Sequence, residues 1–90
     1  MLKLPSVLTH GEARASLAGL TASMSNPADA QVVVDASELA RFDSSALAVL
    51  LACRREVLAK GGSFSVRGAP DRLQRLAGLY GVKDLLHWVA

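Results

Sequence analysis

Residues 32–51 of this sequence read VVVDASELARFDSSALAVLL and decide the fold. The β-branched run before Asp35 is typical of a strand buried on both faces of a parallel sheet. We expect a loop from Ala36 to Phe42 and then a helix, because Asp43 or Ser44 can accept hydrogen bonds from the first free backbone N–H groups. One face of that helix is apolar, with Leu47, Leu50, Leu51, Val57 and Leu58.

Glycines mark the end of this helix and of the element that follows it. Gly61-Gly62 comes directly after Lys60 and predicts the helix end. Residues Ser63 to Arg67 alternate polar and apolar side chains, which predicts a strand with one wetter face. Gly68 closes that strand.

A third helix is expected after this strand. Pro70 suits the first helical position, Asp71 suits the first turn, and Gly81 is a stop signal. The positions spaced for burial are Leu73, Leu76, Ala77 and Tyr80. Residues 82–90 fit a short strand, a helical turn or both, and the large apolar side chains there, which we expect to be packed, are Leu85, Leu86, Trp88 and Val89.

The region before residue 32 predicts one edge strand and one helix. Lys3 lies between two leucines, and Pro5 then interrupts any hydrogen-bond ladder, so we expect a short strand at a sheet edge. Gly11 and Glu12 open a helix, which residues 26–29 end with turn residues. Its apolar face consists of Ala13, Leu17, Leu20 and Met24. Strands that alternate with helices in this way predict a small α/β layer with parallel neighbouring strands.

Length and composition exclude several classes of protein. The 90 residues have room for one domain, residues 1–90, and 51% of them are hydrophobic, which favours a packed core over disorder. A net charge of +2 without a basic run is too weak for a nucleic-acid partner. No apolar run approaches the about 20 residues of a membrane span, and no secretory signal is present. The single Cys53 excludes an internal disulfide.

Side chains that carry chemistry are scattered. His10, Cys53 and His87 lack the spacing of a metal site, and Cys53 fits a buried position on the second helix better. The glycines form no phosphate loop, so we expect no nucleotide cofactor. Ser44 and Ser45 do not stand in the Gly-x-Ser-x-Gly pattern of a hydrolase. One interpretation of the Asp43-Ser44-Ser45 run is therefore helix capping and nothing more.

The same run also has a second interpretation. This part of the chain resembles the signature of STAS domains, because a buried strand ending in Asp is followed by a short loop and then by Asp-Ser-Ser-Ala-Leu at a helix start. Residues 66–73, VRGAPDRL, and above all residues 76–82, LAGLYGV, are similar to the cytoplasmic STAS subunit of the Mla-type phospholipid ABC transporter. Residues 2–5 resemble the end of the second strand of that family, so we expect its first strand to be missing or shortened here.

The resemblance implies a mostly parallel, mixed sheet covered by helices, with no catalytic centre, cofactor or metal. It implies a protein that binds the ATPase subunit of the transporter and supports its assembly or activity. Such a chain is cytoplasmic and reaches the inner membrane only through the complex. The partner surface that the resemblance implies is centred on Ser44, with Arg41, Asp43 and Ser45 beside it.

The same surface also fits a different partner. In anti-sigma-factor antagonists, which share the STAS signature, the hydroxyl residue directly after the Asp is phosphorylated, and it matches Ser44. Ala46 stands where many antagonists have glycine, which agrees better with the Mla-type branch. The two interpretations therefore share a surface and differ in partner.

Overall fold

The computed structural model describes residues 2–23 and 31–89 of the chain. The strands are β1 (Leu2–Lys3), β2 (Val7–Leu8), β3 (Gln31–Asp35), β4 (Arg41–Phe42), β5 (Ser63–Arg67) and β6 (Trp88–Val89). The helices are α1 (His10–Ser23), α2 (Ser44–Ala59) and α3 (Asp71–Leu79), and a short 3₁₀ helix, Lys83–Leu85, lies between α3 and β6.

Four of the strands form one sheet in the order β1-β3-β5-β6, while β2 pairs with β4 in a small separate ribbon. All pairings between the described strands are parallel. The helical connections from β3 to β5 and from β5 to β6 are long enough for the chain to return to the start of the sheet, as parallel pairing requires. The predicted α/β fold with a mostly parallel sheet is therefore confirmed, and β1 lies at an edge as expected.

The core joins the sheet to the helices through small aliphatic side chains. Val34 and Val66 are register partners on β3 and β5, and both are fully buried. They belong to one cluster with Leu50 of α2 and Leu73 of α3. The predicted burial of Leu47, Leu50 and Leu73 is confirmed, whereas Leu51 and Leu76 are half-buried at its margin.

The two long strands differ from the prediction in how they are buried. On β3 only Val34 is buried, and Val32 and Val33 are half-buried, so burial on both faces was wrong for this strand. On β5 the expected wetter face is present at the two ends of the strand, where Ser63 and Arg67 are exposed, but Ser65 between them is only 8% exposed. The strand β5 has hydrogen-bonded neighbours on both sides, β3 and β6, so its centre is enclosed despite its polar residue.

The end of α2 is confirmed as predicted. The helix stops at Ala59, and Gly61 adopts a positive φ of 79°. In that conformation its N–H donates to the carbonyl of Leu58 at 3.0 Å, and the next N–H donates to Val57, also at 3.0 Å. Glycine adopts this left-handed backbone at little cost, which explains the sharp stop. The predicted place of Leu58 on the apolar face was wrong, since that side chain is 45% exposed.

The other two helices begin at different residues from those expected. Helix α1 begins at His10 rather than at Gly11 and Glu12. Helix α3 begins at Asp71, with Pro70 as the N-cap rather than the first helical residue. Met24 and the turn expected at residues 26–29 lie outside the described residues.

The C-terminal part of the chain contains both elements that the sequence left open, the 3₁₀ helix and β6. Leu86 is buried and Trp88 is half-buried, but Leu85 and Val89 are exposed. The expectation that all four side chains are packed was therefore wrong for two of them. Tyr80 also departs from the prediction, because α3 ends at Leu79 and the ring stands 58% exposed beyond it.

Candidate functional site

The start of α2 is organised by the carboxylate of Asp43. Its backbone is extended, with φ −129° and ψ −164°, and its Oδ1 accepts a hydrogen bond from the N–H of Ser45 at 2.8 Å. Its carbonyl accepts the N–H of Ala46 at 3.0 Å. The sequence left the cap open between Asp43 and Ser44, and the structure assigns it to Asp43, so that Ser44 is the first residue of the helix.

The second oxygen of the same carboxylate is also used. Asp43 Oδ2 accepts the backbone N–H of His10, the first residue of α1, at 3.2 Å. The hydrogen bond from Ser45 is the main cause that lowers the pKa of the Asp43 carboxyl, and the bond from His10 adds to it. The carboxylate is therefore ionised near neutral pH and holds the starts of α1 and α2 together.

The start of α1 has a cap of its own next to this contact. Glu12 accepts hydrogen bonds from both the hydroxyl and the backbone N–H of Thr9, and the N–H of Glu12 donates to the carbonyl of Thr9 at 3.0 Å. The Thr9 hydroxyl is the main cause of a lowered pKa for the Glu12 carboxyl. This is half of a capping box, which fixes where the first N–H groups of α1 point.

Backbone hydrogen bonds fix the loop that leads into the site. Asp35 Oδ1 accepts the N–H of Ser37 at 2.9 Å, and Ser37 is the main cause of the lowered pKa of the Asp35 carboxyl. The N–H groups of Ala40 and Arg41 both donate to the carbonyl of Ser6, at 2.8 and 2.9 Å. These bonds hold β4 against β2 and fix the position of the backbone that leads to Asp43.

The four site residues predicted from the sequence differ in their exposure and in whether they line a groove. Asp43 and Ser44 are exposed and lie together beside a groove, whereas Ser45 is half-buried. Arg41 is exposed on β4 and is not part of the lining of that groove. The structure thus brings two of the four residues to one concave surface.

We call this concave surface the α2–α3 groove, and its volume is about 550 Å³. It lies between the start of α2 and the exposed side of α3. Its lining consists of Phe42, Asp43, Ser44, Arg72, Arg75, Leu76, Leu79 and Tyr80. The guanidinium of Arg72 lies over the ring of Phe42, with 4.6 Å between Cζ and the ring centroid, a cation–π geometry. The arginines, not predicted from the sequence, place positive charge next to Ser44.

The side of the groove formed by α3 exposes large apolar side chains. Leu79 is 82% exposed and Tyr80 is 58% exposed. The sequence pattern predicts a core position for Tyr80 and does not single out Arg72 or Arg75. A usable signal was present, because Arg72, Arg75, Leu76 and Leu79 recur at spacings of three and four and so share one helix face.

Comparison with known families gives a match over almost the whole chain. The sequence profile of the family described as "Mlab, STAS domain" matches residues 1–87. This chain belongs to the MlaB-like STAS domain family. None of the curated proteins compared with this STAS domain matches it. Because the match includes β4, the start of α2 and all of α3, the residues that line the groove lie within the matched range.

Cys53 of this STAS domain is fully buried, as predicted for a small apolar residue on α2. Burial raises the pKa of its thiol to about 11, so the thiol is protonated near neutral pH. His10 and His87 are both exposed. Within residues 2–23 and 31–89, no three His, Cys, Asp or Glu side chains are grouped to hold a metal ion. No helix in the described part of the chain is long and apolar enough to cross a membrane.

Proposed function

We propose that this STAS domain is a non-catalytic accessory subunit that binds the ATPase subunit of an Mla-type phospholipid ABC transporter and supports its assembly or activity. Through that complex it acts in the lipid asymmetry of the outer membrane. The domain stays on the cytoplasmic side and reaches the inner membrane only through its partner. The family match over residues 1–87 is the starting point of the proposal.

One structural observation carries the proposal. Ser44 is exposed at the first position of α2, on a corner that Asp43 makes rigid by hydrogen bonds to two helix starts. Both oxygens of Asp43 accept backbone N–H groups, so this carboxylate is occupied as a structural cap and is a poor general base. A fixed, exposed corner beside a groove with apolar and cationic walls suits docking of another protein.

The proposed contact surface consists of Ser44 with Asp43, Arg41 and Ser45 around it. Asp43 and Ser45 act mainly by holding the backbone, since their hydrogen bond is made within the domain. Ser44 and Arg41 have exposed side chains that a partner can reach. We expect substitutions at these two positions to change binding more than folding.

A second candidate function is that of an anti-sigma-factor antagonist, with Ser44 as the phosphorylated residue. The exposure of the Ser44 side chain at a helix N-terminus favours it, because the helix dipole there stabilises a phosphate. The two functions predict different partners for the same corner: a transporter ATPase in one case and an anti-sigma kinase in the other.

The experiment that tests the proposal is affinity purification of the tagged domain from its native host at native expression level. We expect the ATPase and permease subunits of the transporter to co-purify, and the domain alone to hydrolyse no ATP. Recovery of a histidine-kinase-like protein without the ATPase would move the antagonist function to first place. Recovery of neither would contradict both.

A further inference from the structure

The α2–α3 groove has walls of two chemical kinds. Arg72 and Arg75 provide positive charge, while Leu79 and Tyr80 provide exposed apolar surface. We propose that this groove binds an acidic segment of the ATPase subunit, whose carboxylates pair with Arg72 and Arg75 and whose neighbouring apolar side chain packs on Leu79 and Tyr80. This inference rests on the proposed function and names the chemistry of the partner segment.

The two arginines are available for a partner. In the described part of the chain the salt bridge formed is between Lys3 and Glu38, and neither arginine of the groove takes part in it. Asp43 is the acidic residue in the groove lining, but its two oxygens accept the N–H groups of Ser45 and His10. Asp43 therefore forms no salt bridge with either arginine, and the lining keeps a net positive charge.

The arginines are also held in place for carboxylate recognition. The stacking of Arg72 on Phe42 restricts its side chain before any partner arrives, which lowers the entropy lost on binding. Arg75 follows three residues later and so lies on the same face of α3. A guanidinium offers two parallel N–H donors that match the two oxygens of a carboxylate. Two such groups one helical turn apart suit a segment with more than one acidic side chain.

The apolar part of the groove favours a protein segment over a free anion. Tyrosine and arginine are enriched among the residues that contribute most to protein interfaces, and lysine is depleted there. The lining contains Tyr80 and two arginines but no lysine. A free anion would leave Leu79, at 82% exposure, in contact with water, whereas an apolar side chain next to the carboxylates would cover it.

The charge of the groove also argues against a lipid surface as the occupant. Recognition of anionic lipids uses clusters of about 4–8 basic residues. The groove lining has two arginines and one aspartate, a formal charge of 2 − 1 = +1. That charge suits one or two carboxylates on a protein segment better than an extended anionic membrane.

The test uses charge reversal on the full chain, with the purified ATPase subunit of the transporter from the same genome as the probe. The double variant Arg72→Glu/Arg75→Glu is compared with Arg14→Glu/Arg55→Glu, which changes two exposed arginines outside the groove and alters the net charge equally. We expect the groove variant to bind the ATPase at least about tenfold more weakly, and the control to stay within about twofold of the wild type.

A second variant separates the effect of charge from the effect of side-chain geometry, and it is less prone to a folding defect than the charge reversal. Arg72→Lys/Arg75→Lys keeps the charge but loses the forked donors. We therefore expect its affinity for the ATPase to lie between the affinities of the wild type and the charge-reversal variant. Circular dichroism of each variant checks that it is folded. Binding of the wild type should also weaken as salt rises, and the charge-reversal variant should lose most of that dependence.

The outcomes distinguish this inference from the proposed function. If the wild-type domain does not bind the ATPase at all, the proposed function fails. If the wild type binds and Arg72→Glu/Arg75→Glu binds equally well, this inference alone is overturned. It is also overturned if the arginines matter only for binding to phosphatidylglycerol vesicles, or only for self-association in sedimentation experiments, with ATPase affinity unchanged.

Discussion

Asp43 accepts the backbone N–H of His10 at 3.2 Å, although the two residues lie 33 positions apart in the chain. Its other oxygen accepts the N–H of Ser45 at 2.8 Å. One carboxylate thus serves N–H groups at the starts of both α1 and α2, which otherwise have no partner within their own helix. The exposed Ser44 next to it is presented from a corner with little freedom to move.

Replacing Asp43 tests this double cap. We expect Asp43→Ala to lower the melting temperature by several degrees, because it leaves N–H groups at two helix starts without their acceptor. Ser44→Ala is the control, since Ser44 is not the cap, and it should melt close to the wild type. Asp43→Asn has one oxygen instead of two and should fall between them. Melting of Asp43→Ala at the wild-type temperature would contradict the double cap.

The pH dependence of stability follows from the carboxyl groups with lowered pKa. The pKa values of Asp43, Glu12 and Asp35 lie below their ordinary values of 3.8, 4.5 and 3.8, mainly because of hydrogen bonds from Ser45, Thr9 and Ser37. A carboxyl whose pKa is lower in the folded state stabilises the fold above its ordinary pKa, and this contribution is lost as the pH falls through the folded value.

We therefore expect a nearly constant contribution from these groups above about pH 5 and a progressive loss below about pH 4. Thermal unfolding followed by circular dichroism over the acid range measures it. Asp43→Asn cannot titrate at this position and should show a shallower loss in acid than the wild type. An identical acid profile for the two proteins would show that the Asp43 hydrogen bonds do not stabilise the ionised form.

The elements that could be predicted from the sequence depend on short-range patterns. Three features can each be recognised from a few neighbouring residues, and the structure contains all three. They are the strand that contains residues 32–34, the Asp43 cap and the helix end at the glycines after Lys60. The burial of Ser65 could not be predicted in the same way. Ser65 is the register partner of Val33 on β3, 65 − 33 = 32 positions away in the chain, so its surroundings come from the fold and not from neighbouring residues.

Core packing gives a prediction with a matched control. Leu50 is fully buried against the sheet, so Leu50→Ala should destabilise the domain by about 2–5 kcal/mol. Leu79→Ala removes the same atoms at a site that is 82% exposed and should change stability by less than about 0.5 kcal/mol. Chemical denaturation measures both values. Equal effects of the two substitutions would mean that the helix faces are assigned wrongly.

The candidate site shows the same division between local and long-range information. The place of Asp43 at the start of α2 is visible in the sequence because capping is local. The groove is not, because it needs Arg72 of α3 to lie over Phe42 of β4, and the two are 72 − 42 = 30 positions apart. The role of His10 could not be predicted from the sequence for a similar reason, because its backbone N–H donates to Asp43, which lies 33 positions later in the chain.

The central claim is that the Ser44 corner of α2 is the docking surface for the ATPase, and Ser44→Asp tests it with small effects on folding. Asp at the first position of a helix interacts favourably with the helix dipole by about 0.3–1 kcal/mol, which offsets repulsion from Asp43. The Ser63→Asp control adds the same charge at an exposed residue at the start of β5. This residue lies at the end of the sheet opposite to the Ser44 corner.

The most direct measurement is the dissociation constant of each variant with the purified ATPase subunit. Ser44→Asp places a carboxylate in the groove, where it competes with the partner for Arg72 and Arg75. We predict that Ser44→Asp binds at least about tenfold more weakly than the wild type, about 1.4 kcal/mol, while Ser63→Asp binds normally and both stay folded. Equal affinity of wild type, Ser44→Asp and Ser63→Asp would reduce this corner to a helix cap and contradict the claim.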